Sequence, residues 1–201
     1  MSRAWNIERI VTGVVRQAVL DASAEGVVLL DDGSPEAKLL GNWLEPALGA
    51  WFYRVPGNGP DEAAREADAR GRLHALAAEQ NLLTASPVNK TVLLLAEVPV
   101  PEALIPLGDL YASEVGPLAD GWRGARNVHS LEALCGGIEA LDAALRARFE
   151  ERTPLPEVLA RLPEAARTLF AHALERGRFA RSKVGIVPKL GTRTAGIDLF
   201  A

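Results

Sequence analysis

Two short stretches carry residues whose types and spacing could do chemistry. Asp31, Asp32, Gly33 and Ser34 directly follow the apolar run Gly26–Leu30. Two carboxylates and a hydroxyl at that point could hold magnesium, and helix-N-terminal acidity with an ordinary cap accounts for the same residues. Thr84, Ser86, Asn89 and Lys90 close a second apolar run and offer hydroxyls, an amide and an ammonium group. Those groups could cradle a phosphate, and a helix cap after a strand explains them equally well. Cys135 sits beside Gly136 and Gly137, with His129 the nearest imidazole in sequence, and reads as a buried, inert helix cysteine rather than a nucleophile. His74, His129 and His172 are widely separated and have no zinc-ligand spacing, so no metal site is assigned to them. Trp5, Trp43, Trp51 and Trp122 are scattered and read as core or interface aromatics.

The elements that must position these groups follow from periodicity. Asn6–Ala22 puts Ile7, Ile10, Val11, Val14, Val15 and Ala18 on one stripe and predicts an amphipathic helix. Gly26–Leu30 is short, apolar and β-branched, as a strand buried on both faces of a parallel sheet requires. Asp31–Gly33 turns the chain, Ser34 can cap, Pro35 suits a first helical position, and a helix follows over Glu36–Leu48. Strands are expected again over Ala50–Val55 and Asn81–Ser86, with Pro56–Pro60 a loop and Asp61–Gln80 a helix between them. Val88–Glu97 and Asp109–Trp122 read as helices joined by a proline-punctuated connection over Val98–Gly108. Leu131–Arg181 is helical throughout, broken at Thr153, Pro154 and at Leu162, Pro163, and Val184–Ala201 reads as an extended tail.

Strands alternating with helices predict an α/β fold, an open doubly wound parallel sheet with an added helical segment toward the C-terminus, in one domain over residues 1–201. Ligands in such sheets sit beyond the carboxyl ends of the strands, which points to the turns at Asp31–Ser34 and Thr84–Asn89. Composition supports a globular chain: 201 residues, 48% hydrophobic and 24% charged. A single cysteine permits no internal disulfide. The formal net charge is −4, from 22 basic and 26 acidic residues, with no basic stripe, so nucleic acid is not expected as a partner. No run approaches the ~20 apolar residues a membrane helix needs and no signal-peptide pattern is present, so a cytoplasmic protein without membrane partners is expected.

The stretch NLLTASPVNKTVLLLAE, followed by IPLGDLYASEVGPLA, resembles the ammonia-dependent NAD synthetases, which carry a strand ending in G-T-x-N-K-S-E and then a P-[IL]-G-D-L-Y-K segment. Ala69–Arg72 is similar to that family's A-R-x-R helix, and ERGRFARSKVGIVPKLGTRTAG to its E-R-x-x-Y-K-R…P…K tail. The resemblance implies an adenine-nucleotide α-hydrolase-like fold, a homodimer with the dinucleotide site at its interface, and ATP or an NAD-type dinucleotide with magnesium as the ligands to look for. Under it, Arg70 and Arg72 become candidate dinucleotide contacts, in competition with salt bridges to Glu66 or Asp68. Thr84, Asn89 and Lys90 become candidate phosphate or adenine contacts.

The departures fall on the chemistry. The family's phosphate loop, S-G-G-x-D-S, is here Asp31, Asp32, Gly33, Ser34, Pro35, Glu36, and only Gly33 stays in register. A carboxylate ~5 Å from a phosphate charge costs roughly 3 kcal/mol at an effective dielectric of ~20. Val92 stands where the resemblance puts a magnesium carboxylate, Ala112 replaces the lysine of G-D-L-Y-K, and Phe179 and Ala180 replace an aromatic or His followed by Lys. The acidic lid segment shrinks to Ser130–Gly137. Adenylation needs a cation to neutralise the leaving pyrophosphate, so no catalytic residue is assigned. The expected protein is a degenerate, inactive NAD synthetase-like binding or structural dimer, with Asp31, Asp32, Gly33, Ser34, Arg70, Thr84, Asn89 and Lys90 as remnant nucleotide contacts. The alternatives are an active nucleotide-dependent ligase of the same fold with metal on Asp31 and Asp32, and a sensor that binds AMP or NAD without turnover.

Overall fold

The computed structural model describes residues 3–95, 100–122, 124, 128–181 and 185–190. Helix α1 (Arg3–Asp21) leads into strand β1 (Gly26–Asp31), helix α2 (Pro35–Leu48), strand β2 (Phe52–Pro56), helix α3 (Glu62–Gln80) and strand β3 (Leu82–Ala85). The three strands are parallel in the order β2-β1-β3, so β1 is central. Alternation along β1 explains its wholly apolar sequence. Val27 and Leu29 pack with α1 and α2 through Val11, Val15, Leu40 and Leu44. Val28 and Leu30 point the other way, onto Ala69 and Leu73 of α3. Gly26 starts the strand because a Cβ there would come within 2.3 Å of the Trp51 carbonyl oxygen.

The sheet continues past β3 without forming further full strands. Leu104 bridges in parallel to Ala85, and Ile186 bridges in parallel to Leu104. Ser86 donates to the Leu104 carbonyl and Leu104 to the Thr84 carbonyl, while Ile105 and Ile186 extend the pattern by one residue each. The proline-punctuated connection expected over Val98–Gly108 thus supplies a sheet neighbour. Ile186, from the expected tail, supplies the next one; residues 191–201 of that tail lie outside the described residues, as do 96 and 97 of the expected Val88–Glu97 helix.

The second half is helical: α4 (Lys90–Leu95), α5 (Ala112–Val115), α6 (His129–Cys135), α7 (Ile138–Phe149), α8 (Leu155–Arg161) and α9 (Glu164–Arg181). The helix expected over Asp109–Trp122 shortens to α5 and one 3-10 turn, Gly116–Leu118, since Pro117 cannot donate into a continued helix. The uniform helical reading of Leu131–Arg181 also breaks at Gly136 and Gly137, both at positive φ, besides the two proline breaks. Leu141, Leu145, Val158 and Phe170 form the centre of this second core. Arg181 ends α9 by donating to the Leu94 carbonyl at 2.8 Å and the Leu174 carbonyl at 2.7 Å, tying α9 to the end of α4. Among the described residues no helix is long and apolar enough to cross a membrane.

A buried polar junction joins α4, α5 and α7. The Thr91 hydroxyl donates to Asp142 and accepts from the Ala112 amide, while the Ser113 amide donates to the second Asp142 oxygen at 2.8 Å. Burial raises the Asp142 pKa, and the hydrogen bonds from Thr91 and Ser113 offset only part of that. A carboxyl whose folded pKa exceeds its unfolded one contributes stability at low pH and loses it as pH rises through the folded value. Wild type should therefore lose stability relative to Asp142→Asn as the pH climbs above 3.8, the ordinary Asp value. Parallel urea titrations of both proteins across that range check it, and a pH-independent difference would refute it. In the core, Phe170→Ala should cost about 3–5 kcal/mol in urea unfolding, because Phe170 has no exposed surface.

Candidate functional site

With β2 and β3 on opposite sides of β1, the chain reverses direction across the sheet between β1 and β3. A ligand crevice belongs at that reversal, beyond the carboxyl ends of the two strands. The loops there are Asp32–Ser34 and Ser86–Asn89, so the two stretches singled out in the sequence do meet.

The first loop is closed by its own side chains. Asp31 Oδ1 accepts from the Gly33 amide at 3.1 Å and Asp32 Oδ1 from the Ser34 amide at 3.0 Å. Gly33 takes φ +81°, which a side chain would strain. Ser34 caps α2 by accepting from the Ala37 amide at 3.0 Å. The second Asp31 oxygen is neutralised by Arg54 of β2 at 2.8 Å, partly shielded from water. That guanidinium also fills the space above Gly41, where a Cβ would come within 2.8 Å of it. Asp31 therefore turns toward β2 and does not line the crevice.

Among the residues that do line it are Asp32, Glu36, Glu66 and Asn89, with Leu30, Pro87, Val88 and Val92 as its apolar part, around a cavity of only about 20 Å³. Glu36 is 3% exposed, and its Oε1 accepts from Asn89 Nδ2 at 3.3 Å and from the Trp122 indole N–H at 3.2 Å. Asn89 Oδ1 meanwhile accepts from the Val92 amide at 3.1 Å, supporting the first turn of α4. A carboxylate buried this deeply must be hydrogen-bonded, and these two donors supply that need.

The remaining predicted residues point elsewhere. Thr84 Oγ1 accepts from the Ala103 amide at 2.9 Å and braces the next sheet neighbour. Arg70 donates to the buried Glu102 at 2.9 Å and pairs with Glu66 at 3.0 Å. Burial pulls the Arg70 pKa down, but the Glu102 hydrogen bond and the two carboxylate charges raise it overall. Arg72 pairs with Asp68 at 3.4 Å and donates to the Pro56 carbonyl at 2.9 Å. Lys90 lies on the far side of α4, donating to Glu150 at 2.8 Å and to Asp109 at 3.5 Å, with its ammonium 4.7 Å from the centre of the Tyr111 ring. Burial pushes the Cys135 thiol up, in keeping with an inert cysteine. Among the described residues no group of three His, Cys, Asp or Glu is placed to hold a metal ion.

Comparison with solved structures gives the fold a family likeness. An NH3-dependent NAD synthetase from Campylobacter jejuni, in complex with nitrate, superposes at a TM-score of 0.62 with 18% identity, over 92% of this chain and 99% of that one. The fold is NAD synthetase-like. A glutamine-dependent NAD+ synthetase from Acinetobacter baumannii, in complex with ADP, also matches, at a TM-score of 0.47 and 16% identity, over 98% of this chain and 49% of that one. No protein-family model and no curated protein matches the sequence.

Three residues that shape the crevice were not among the predicted contacts. Glu36 was visible in the sequence only as a departure from the phosphate loop, Glu66 only as a salt-bridge candidate. Trp122 carried no local signal, being 86 positions from the carboxylate it holds. The cap on α2 is the simplest part of the turn after β1 to test. Ser34→Ala should lower stability by about 1 kcal/mol in urea unfolding. An unchanged midpoint would remove the Ser34 hydroxyl from the account of this turn.

Proposed function

We propose that this chain is a non-catalytic NAD synthetase-like protein, a single doubly wound domain over residues 1–201, that serves a binding or structural role as a cytoplasmic homodimer. The observation that carries the reading is the Glu36 carboxylate seated in the switch-point crevice. A space of about 20 Å³ is that of one water, whereas small-molecule sites run to roughly 300 Å³ and above. Glu36, Asp32 and Glu66 put three carboxylates around it. A triphosphate would have to displace the Asn89 and Trp122 hydrogen bonds and then face those charges. If a magnesium ion entered, Asp32, Glu36 and Glu66 would be the residues nearest to it, but Asp31 is committed to Arg54 and Val92 brings no ligand. The sensor and ligase alternatives both require this crevice to open.

Isothermal titration of the purified protein with ATP, with and without magnesium, tests the reading directly, alongside an assay for NAD formed from deamido-NAD, ATP and ammonia. No heat and no product above a heat-killed control are expected. Magnesium-dependent heat or measurable NAD would overturn the reading in favour of an active ligase with an altered metal site. Heat from AMP or NAD alone would overturn it in favour of a sensor.

A further inference from the structure

We propose that a second pocket, between the first turns of α1 and the stack formed by Lys90, Tyr111 and Arg146, binds a small neutral molecule with an amide head and an aliphatic body. The pocket encloses about 310 Å³, at the lower end of the range for small-molecule sites, and shares no lining residue with the crevice. The proposal does not rest on how the crevice is read.

Each wall constrains the ligand. Ile7, Ile10, Leu110 and Leu190 make one side aliphatic, which asks for a branched hydrocarbon body rather than a polar one. The other side is built on Tyr111, 2% exposed, whose ring is held between the Lys90 ammonium at 4.7 Å and the Arg146 guanidinium at 4.5 Å. Two buried donors on that side lack a well-formed hydrogen bond among the described residues: Arg146 Nε, and the Tyr111 hydroxyl, whose neighbouring carboxylate is Glu150. Burial and the adjacent Glu150 charge raise the Tyr111 pKa, so the hydroxyl stays a donor. A buried donor without an acceptor is costly, so a carbonyl oxygen delivered here gains more than it would in water. Arg146 is the exposed member of the stack, at 39%, and its displacement from the ring would open the way to both donors.

The charges decide the sign of the ligand. Glu150 pairs with Lys90 at 2.8 Å and Glu114 with Arg146 at 3.2 Å, while Asp109 accepts from Lys90 at 3.5 Å and from the Leu190 amide at 2.7 Å. A carboxylate would enter against three fixed carboxylates, and an ammonium against two fixed cations. An ion of either sign would have to pull an existing pair apart. A primary amide instead offers its C=O to Tyr111 and Arg146 and its NH₂ to Glu150 or Glu114, and gives up the contact of Arg146 with the Tyr111 ring but no ion pair.

Saturation-transfer NMR with isovaleramide, isovalerate and isoamylamine, which share one aliphatic body, separates the three head groups. Isovaleramide alone should show transfer. Ile10→Trp, at a position 43% exposed and so tolerant of substitution, fills the pocket and should abolish it. Tyr111→Phe keeps the ring but not the hydroxyl and should weaken binding about tenfold. Absence of transfer to isovaleramide, stronger transfer to either ion, or undiminished transfer in Ile10→Trp would overturn the proposal.

Discussion

Glu36 brings a carboxylate to a place that water barely reaches, and the arrangement around the switch point follows from the need to hydrogen-bond it. Its position is set by the backbone: Ser34 caps α2, Pro35 takes the first helical position, and the next residue is then aimed into the gap between β1 and β3. Asn89 must turn its amide toward that carboxylate, so the loop after β3 packs close to the loop after β1. Trp122 must do the same from the far end of the α5 segment, where its ring lies against Gly116, whose absent side chain leaves room for it. One buried charge thus joins three parts of the chain that are distant in sequence. The crevice between them is closed as a consequence.

A second set of charges organises the opposite side of α4. Lys90 is 3% exposed and would be unstable there alone; Glu150 and Asp109 supply the compensating charges. Burial pushes the Glu150 pKa up, but the Lys90 hydrogen bond and charge outweigh it and hold the carboxyl below its ordinary value. Tyr111 sits between Lys90 and Arg146, so its ring screens two cations from each other and gains from both. These contacts fasten α4 and α5 to the end of α7, while Asp142 fastens the middle of α7 to Thr91 and Ser113. Within the helical half, α4, α5 and α7 are therefore joined through polar groups in addition to apolar packing.

Local physical rules made the first half of the fold legible. A five-residue, β-branched apolar run between turn signals reads as a strand covered on both faces, and Ser34 with Pro35 marks a helix start. The α8 and α9 boundaries were equally visible, because proline stops a helix on its own. The extra sheet neighbours were not, since Leu104 and Ile186 each contribute a single bridge and a single bridge leaves no period to read. The site was legible in place but not in partners. Asp31, Asp32 and Asn89 were correctly put at the strand ends, yet nothing nearby in sequence shows that Arg54 would take Asp31 or that Trp122 would take Glu36. Long-range pairing is settled by which groups burial leaves in need of a partner.

That same principle accounts for the polar residues of the N-K and G-D-L-Y segments through contacts within the chain. In the N-K and G-D-L-Y segments every polar side chain has structural work among the described residues. Asn89 supports α4 and holds Glu36, Lys90 is held by Glu150, Asp109 fixes the Leu190 amide, and Tyr111 forms the floor of the cation stack. Substituting Asn89, Lys90 or Asp109 would leave a buried partner exposed to the full cost of an unmade bond, which is reason enough for each of the three to be where it is. Val92 and Ala112, where the resemblance puts a carboxylate and a lysine, are apolar side chains packed against the second core or buried within it. Groups that the fold needs for hydrogen bonding are thus held in place by the fold itself, and their presence alone does not fix the chemistry of the site.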